Sequence, residues 1–139
     1  MEMTEAKRPL KGSCLCGGVK YEAEGPLTAV ARCHCVQCRK ASGAEFATNG
    51  NVFQGGFRIV MGEELVAEYE SSPGGFRVFC ARCGSPLFKR TTSRPEVVRL
   101  RLGCLDTEID ERPLAHVFVG EKPNWSEICD SLPQWDTRP

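Results

Sequence analysis

The side chains with the most chemistry to offer are seven cysteines in three short groups. Cys14 and Cys16 form a Cys-x-Cys pair, Cys33, Cys35 and Cys38 crowd together around His34, and Cys80 and Cys83 make a Cys-x-x-Cys. Thiolates at such spacings hold metal ions, zinc above all. On an extended segment the sulfurs of Cys14 and Cys16 point to one side. The Cys80–Cys83 spacing suits a tight turn whose two thiolates face one ion. Together the two pairs supply a tetrahedral Cys₄ site. About 64 residues lie between them, so a zinc held there closes a long loop, and its binding becomes folding free energy of about 10 kcal/mol. The role expected of Cys14, Cys16, Cys80 and Cys83 is therefore structural. The bland alternative is a set of reduced core cysteines, and a Cys14–Cys16 disulfide is disfavoured by the geometry that such a bond requires.

Cys33, Cys35 and Cys38 offer three ligands rather than four. Zinc held by three protein sulfurs keeps a position for water or an incoming thiolate, and a metal-bound thiol is deprotonated at neutral pH. These three are expected to ligate a second, open zinc suited to thiol chemistry. Arg32, Arg39 and Lys40 lie close in sequence and favour thiolate forms, as does the start of a short helix near Cys38. The competing reading is a second structural zinc closed by a distant fourth ligand. Cys104 and Cys129 are the candidates, although each reads better as a small buried residue. His34 lies between two ligands and should point away from both, in a packing or supporting role. His116 opens an apolar stretch and reads as a hydrogen-bonded structural histidine.

The elements that must position these groups are mostly strands. Fourteen glycines and nine prolines punctuate short alternating runs, the pattern of a mainly β protein with tight turns and little helix. Strands are expected over 18–24, 57–61, 65–69, 76–79, 97–102 and 116–119, with a loop over 71–75. Val36 to Ser42 reads as a helix of about two turns, stopped by Gly43. The irregular segment from Trp125 to Trp135 is expected to pack both indole rings onto the rest.

At 139 residues the chain suits one domain, drawn over residues 11–136 after a mobile tail of residues 1–10. Basic and acidic side chains balance at 18 each, and seven thiolates with two zinc ions would bring the total to about −3. No basic excess or stripe speaks for nucleic acid. No apolar run approaches the ~18 residues of a membrane span. The first residues lack the apolar centre of an export signal, so a reducing, cytoplasmic setting is expected.

Three stretches then point to a family. Gly12-Ser13-Cys14-Leu15-Cys16-Gly17-Gly18-Val19-Lys20-Tyr21, Cys33-His34-Cys35-Val36-Gln37-Cys38-Arg39-Lys40-Ala41-Ser42-Gly43 and Phe79-Cys80-Ala81-Arg82-Cys83-Gly84-Ser85-Pro86-Leu87-Phe88 resemble, in order, motifs of the glutathione-dependent formaldehyde-activating enzyme family, which includes centromere protein V. Gly103-Cys104-Leu105-Asp106, His116 to Val119, Trp125 and Leu132 to Trp135 are similar to its C-terminal pattern. The resemblance implies packed antiparallel sheets like those of a Rab-binding zinc chaperone. It also implies a structural zinc on Cys14, Cys16, Cys80 and Cys83, and an open one on Cys33, Cys35 and Cys38. The activity implied is carbon–sulfur lyase chemistry run in reverse, adding glutathione to formaldehyde or another small aldehyde. Arg32, Arg39, Lys40 and Arg82 would then either contact glutathione carboxylates or balance thiolate charge. The alternative is a non-enzymatic zinc domain for a protein partner.

Overall fold

The computed structural model describes residues 9–139. Among these residues ten strands and one α-helix follow in order: β1 (Pro9–Ser13), β2 (Lys20–Glu24), β3 (Thr28–Cys33), α1 (Val36–Ser42), β4 (Ala47–Phe53), β5 (Phe57–Met61), β6 (Val66–Ser72), β7 (Gly75–Cys80), β8 (Pro86–Thr91), β9 (Val97–Arg101) and β10 (His116–Val117). Residues 1–8 of the expected tail lie outside the described residues, while Pro9 and Leu10 already belong to β1.

The strands form a three-stranded sheet ordered β1-β2-β5 and a seven-stranded sheet ordered β10-β3-β4-β9-β8-β7-β6. Pairing is antiparallel except at the edge, where the two residues of β10 run parallel to β3. The core lies between the sheets. Leu10, Tyr21 and Ala23 from the small sheet meet Val52, Val78, Phe88, Val98 and Leu100 from the large one. The Phe57 ring joins the two layers, with its centroid 5.4 Å from that of Tyr21 and 4.9 Å from that of Phe88. Each fully buried large apolar side chain of this kind contributes about 1.5–3 kcal/mol.

Period-two alternation then decides what the other face of the large sheet carries. Val98 and Leu100 of β9 enter the core, so Arg99 and Arg101 project from the opposite face. The same holds in β4, where Val52 goes inward and Asn49 and Asn51 go with the arginines. This outer face builds the wall of the cleft described below.

The helix over Val36–Ser42 ends as its sequence implies: Gly43 takes φ 65 and its N–H donates to the Arg39 carbonyl at 2.8 Å. The expected loop over 71–75 is shorter than its composition suggested. β6 continues through Ser72 and β7 begins at Gly75, leaving a Pro73–Gly74 turn with Gly74 at φ 75, a left-handed position that glycine accepts without strain. The last strand stops at Val117, because Phe118 turns to φ 56 and a short 3₁₀ turn follows. Neither tryptophan packs as expected: Trp125 is 66% exposed and Trp135 41%. The C-terminal segment is held through its backbone instead. Trp135 donates to the His116 carbonyl, Val119 donates to that of Trp135, and His116 donates to that of Pro133. Anchored by its main chain along the β10 edge, this segment leaves its rings outside.

Candidate metal centres and the basic cleft

The two cysteine pairs meet where the sequence pattern placed them. Cys14 follows β1 and Cys80 ends β7, and the four sulfurs of Cys14, Cys16, Cys80 and Cys83 lie within 4.8 Å of one another. Cys14 and Cys16 sit in a turn rather than on extended strand, tied by Gly17 N–H to Cys14 O at 2.9 Å and Cys14 N–H to Val19 O at 3.1 Å. A four-coordinate zinc with bonds of about 2.3 Å needs sulfurs about 3.8 Å apart. The Cys14–Cys16 sulfurs are 3.5 Å apart and the Cys16–Cys80 sulfurs 3.9 Å, so the residues present fit such an ion. Donors surround the thiolates. Val19 N–H donates to Cys14 Sγ at 3.2 Å and Arg82 Nε donates to Cys16 Sγ at 3.3 Å. The Gly18 backbone N–H, then Arg82, hold Cys16 below the ordinary thiol range, and the Ser85 hydroxyl leads the contacts that bring Cys83 down to about 5. Burial pushes Cys80 the other way. Of the two roles open to Arg82, charge balance is the one its position serves.

The second cluster brings together Cys33, Cys35 and Cys38, with their sulfurs also within 4.8 Å. Cys33 is the last residue of β3, Cys35 caps α1, and Cys38 sits in its first turn, donating its N–H to Cys35 Sγ at 3.2 Å. Among the described residues no fourth side chain joins them. Cys104 lies elsewhere, in contact with the Pro86 carbonyl, and Cys129 is exposed rather than buried. Hydrogen bonds from Cys33 and Cys35, then the charges of Arg101 and Arg77, hold Cys38 far below the ordinary thiol range, while hydrogen bonds with Cys35 and Cys38, then burial, push Cys33 up.

His34 points away from the sulfurs, as alternation requires, into a buried relay. Its Nε2 lies 2.8 Å from His116 Nδ1, and His116 Nε2 reaches both Asp130 oxygens at 3.0 Å. Asp130 also pairs with Arg32 at 3.1 Å and accepts the Leu132 N–H, the first of the contacts that hold its carboxyl below the usual range. Because His34 N–H donates to the Val117 carbonyl, the chain Asp130–His116–His34 fastens the peptide that carries Cys33 and Cys35 to the β10 edge. Replacing His116 with leucine strands a fully buried imidazole. The expected cost is about 1–3 kcal/mol in a urea melt, together with weaker metal retention by the Cys33 cluster.

Beside that cluster opens a cleft of about 720 Å³. Arg77, Lys89, Arg94, Arg99, Arg101 and Arg138 line it, against Glu121 as the one acidic side chain. Arg77 Nη2 lies 4.0 Å from Cys38 Sγ and 3.2 Å from Gln37 Oε1. Burial lowers Lys89 and Arg99, and takes Arg101 down to about 10. These are not the basic residues that sequence proximity suggested. Arg32 belongs to Asp130 and Arg82 to the Cys14 pair, while Arg39 and Lys40 line a separate shallow hollow with Trp125. The signal that was available is the Val97-Val98-Arg99-Leu100-Arg101 alternation, which puts two arginines on one face without saying what that face meets.

Comparison with known proteins shows which family the chain falls in. A Halomonas elongata protein named "Putative glutathione-dependent formaldehyde-activating enzyme" is 34% identical over 128 residues, covering 86% of this chain and 80% of its own length. A crystal structure of a Rhodobacter sphaeroides protein superposes with a TM-score of 0.61 at 26% identity, over 74% of this chain and 97% of the other. Residues 9–121 match the family described as glutathione-dependent formaldehyde-activating enzyme, with both cysteine clusters inside the match, and the chain belongs to that family.

Proposed function

We propose that the chain is a zinc-dependent enzyme that adds a thiol, glutathione or one like it, to formaldehyde or another small aldehyde, carbon–sulfur lyase chemistry run in the synthetic direction. The observation that carries this reading is the pairing of a three-sulfur cluster, lacking a fourth protein ligand among the described residues, with a basic cleft beside it. Cys14, Cys16, Cys80 and Cys83 would hold a structural zinc, and Cys33, Cys35 and Cys38 an open one. Zinc in the second site supplies the positive charge that keeps a coordinated substrate thiol deprotonated at neutral pH.

This chain's own residues do the rest. Cys33, Cys35 and Cys38 leave one position for the substrate sulfur. The sulfur attacks the aldehyde carbon, a carbon–sulfur bond forms, and the carbonyl π pair moves to oxygen, which takes a proton from water to give the hydroxymethyl thioether. Arg77 Nη1 and Arg101 Nη2 are buried and have no partner among the described residues. Both side chains reach the cleft beside Cys38, where they favour the negative charge that passes from sulfur to oxygen. The alternative of a closed zinc domain for a protein partner has no fourth ligand to support it among the described residues. The test is the rate of S-hydroxymethylglutathione formation from glutathione and formaldehyde with zinc-loaded protein. The expected result is a rate at least about 100-fold above the spontaneous reaction, and no acceleration would end the formaldehyde reading.

No helix among the described residues is long and apolar enough to cross a membrane. The seven thiolates called on here need a reducing setting, which supports cytoplasmic action.

A further inference from the structure

The cations of the cleft are arranged more regularly than charge balance requires. Arg77 of β7 stands directly opposite Lys89 of β8, Lys89 opposite Arg99 of β9, and Arg99 opposite Asn51 of β4. Three like charges in direct register across three neighbouring strands repel, and such pairs destabilise a sheet. None of the three, nor Arg101, forms an ion pair with a carboxylate among the described residues. One rung along, Arg101 stands opposite Asn49; these are 7% and 1% exposed, and Arg101 Nη2 and Asn49 Oδ1 lack partners among the described residues. A fold that holds this row with no carboxylate paired to it, and only Glu121 and the sulfurs of the Cys33 cluster as negative neighbours in the cleft, has room for an anion from outside.

The amount and spacing of the charge narrow the choice. Glutathione carries two carboxylates and an ammonium group, so its charge falls well short of six basic side chains lining one cleft. A carboxylate is planar and is satisfied by one guanidinium through two parallel bonds. A phosphate monoester offers three free oxygens and a charge approaching −2, which suits donors on adjacent strands about 4.8 Å apart. The row begins at Arg77, whose Nη2 lies 4.0 Å from Cys38 Sγ, and continues on the next two strands through Lys89 to Arg99, so it spans about 10 Å of sheet beside the cluster.

We propose that the Arg77–Lys89–Arg99 row, with Arg101 beside it, is a subsite for a phosphate group, and that among the thiols this site accepts it favours a short one bearing a phosphate. This rests on the thiol reading above and narrows its substrate class. The phosphate lies across the strands, with Lys89 and Arg99 as its outer donors and the thiol reaching back to Cys33, Cys35 and Cys38.

The test uses the full chain loaded with cobalt in place of zinc, titrated by calorimetry at low salt with inorganic phosphate, 3-mercaptopropyl phosphate and its uncharged analogue 3-mercaptopropanol. The phosphorylated thiol is expected to bind at least about tenfold tighter than the alcohol. That advantage should fall in both Lys89→Gln and Arg99→Gln and be largely restored in Lys89→Arg. Equal affinity of the two thiols, or an advantage unchanged in both glutamine variants, would overturn the subsite. The cobalt–thiolate absorption separates the two ideas. If phosphate binds through Lys89 and Arg99 while no thiol perturbs the cobalt spectrum, the subsite stands as a site for free phosphate and the thiol reading fails. If both thiols perturb the spectrum equally and phosphate gives no heat, the thiol reading stands and the subsite fails.

Discussion

Cys80→Ser is expected to leave the chain largely unfolded at 25 °C and to lower its zinc content from two ions to none. Cys80 is wholly buried at the end of β7, and its sulfur lies 3.9 Å from that of Cys16 across a separation of 64 residues. A structural zinc is worth about 10 kcal/mol of folding free energy, comparable to the whole stability of a domain, about 5–15 kcal/mol. A serine hydroxyl does not replace a thiolate ligand at neutral pH. The loss would reach the second cluster too, because β3 and β7 belong to one sheet and cannot hold their places independently. Far-UV circular dichroism and metal analysis on the same preparation check this. A melting temperature within a few degrees of the parent would show that the four sulfurs are only packed together.

Cys38→Ser should do the reverse. The fold should persist with a melting temperature only a few degrees lower, zinc should fall from two to one, and thiol–aldehyde addition should drop to the spontaneous rate. Cys38 sits on a helix of seven residues at the side of the large sheet, and the Cys33 cluster closes only a short loop between β3 and α1. Losing a metal there gives up little loop-closure entropy. It does remove the thiolate toward which Arg77 and Arg101 direct their charge. Both cations would then lose that negative neighbour, so Cys38→Ser should bind added anions in the cleft more tightly than the parent does. Circular dichroism, zinc content and turnover on one preparation separate this variant from Cys80→Ser. Unaltered turnover with one zinc lost would place the chemistry elsewhere.

The division of the cysteines was legible because it rests on short-range covalent spacing. Two residues between Cys80 and Cys83, and one between Cys14 and Cys16, limit the sulfurs to a few arrangements, and metal geometry selects among them. The helix over Val36–Ser42 was legible for the same reason, since Gly43 stops it locally. β4 was not. Ala47-Thr48-Asn49-Gly50-Asn51-Val52-Phe53 has the composition of a turn, and it is a strand because β3 and β9 pair with it on both sides. Those asparagines are part of the cleft wall, so the element hardest to see locally is one that the site uses. The basic row was hidden by a related problem. Arg77, Lys89 and Arg99 are spread over 23 positions and become neighbours only through cross-strand register. Proximity in sequence drew attention to Arg32, Arg39, Lys40 and Arg82, none of which lines the cleft. The indole rings failed for another reason: the area that an aromatic ring could bury says nothing about whether a segment anchored through its backbone can turn that ring inward.

The most direct test is the metal content of the full chain, kept reduced, with its cobalt-substituted absorption recorded before and after adding glutathione. The prediction is two ions per chain, with one cobalt spectrum of four-thiolate type that does not change and a second that shifts as glutathione sulfur enters beside Cys33, Cys35 and Cys38. A folded chain that holds a single ion, or two ions neither of which responds to any thiol, would contradict an open thiol-binding centre.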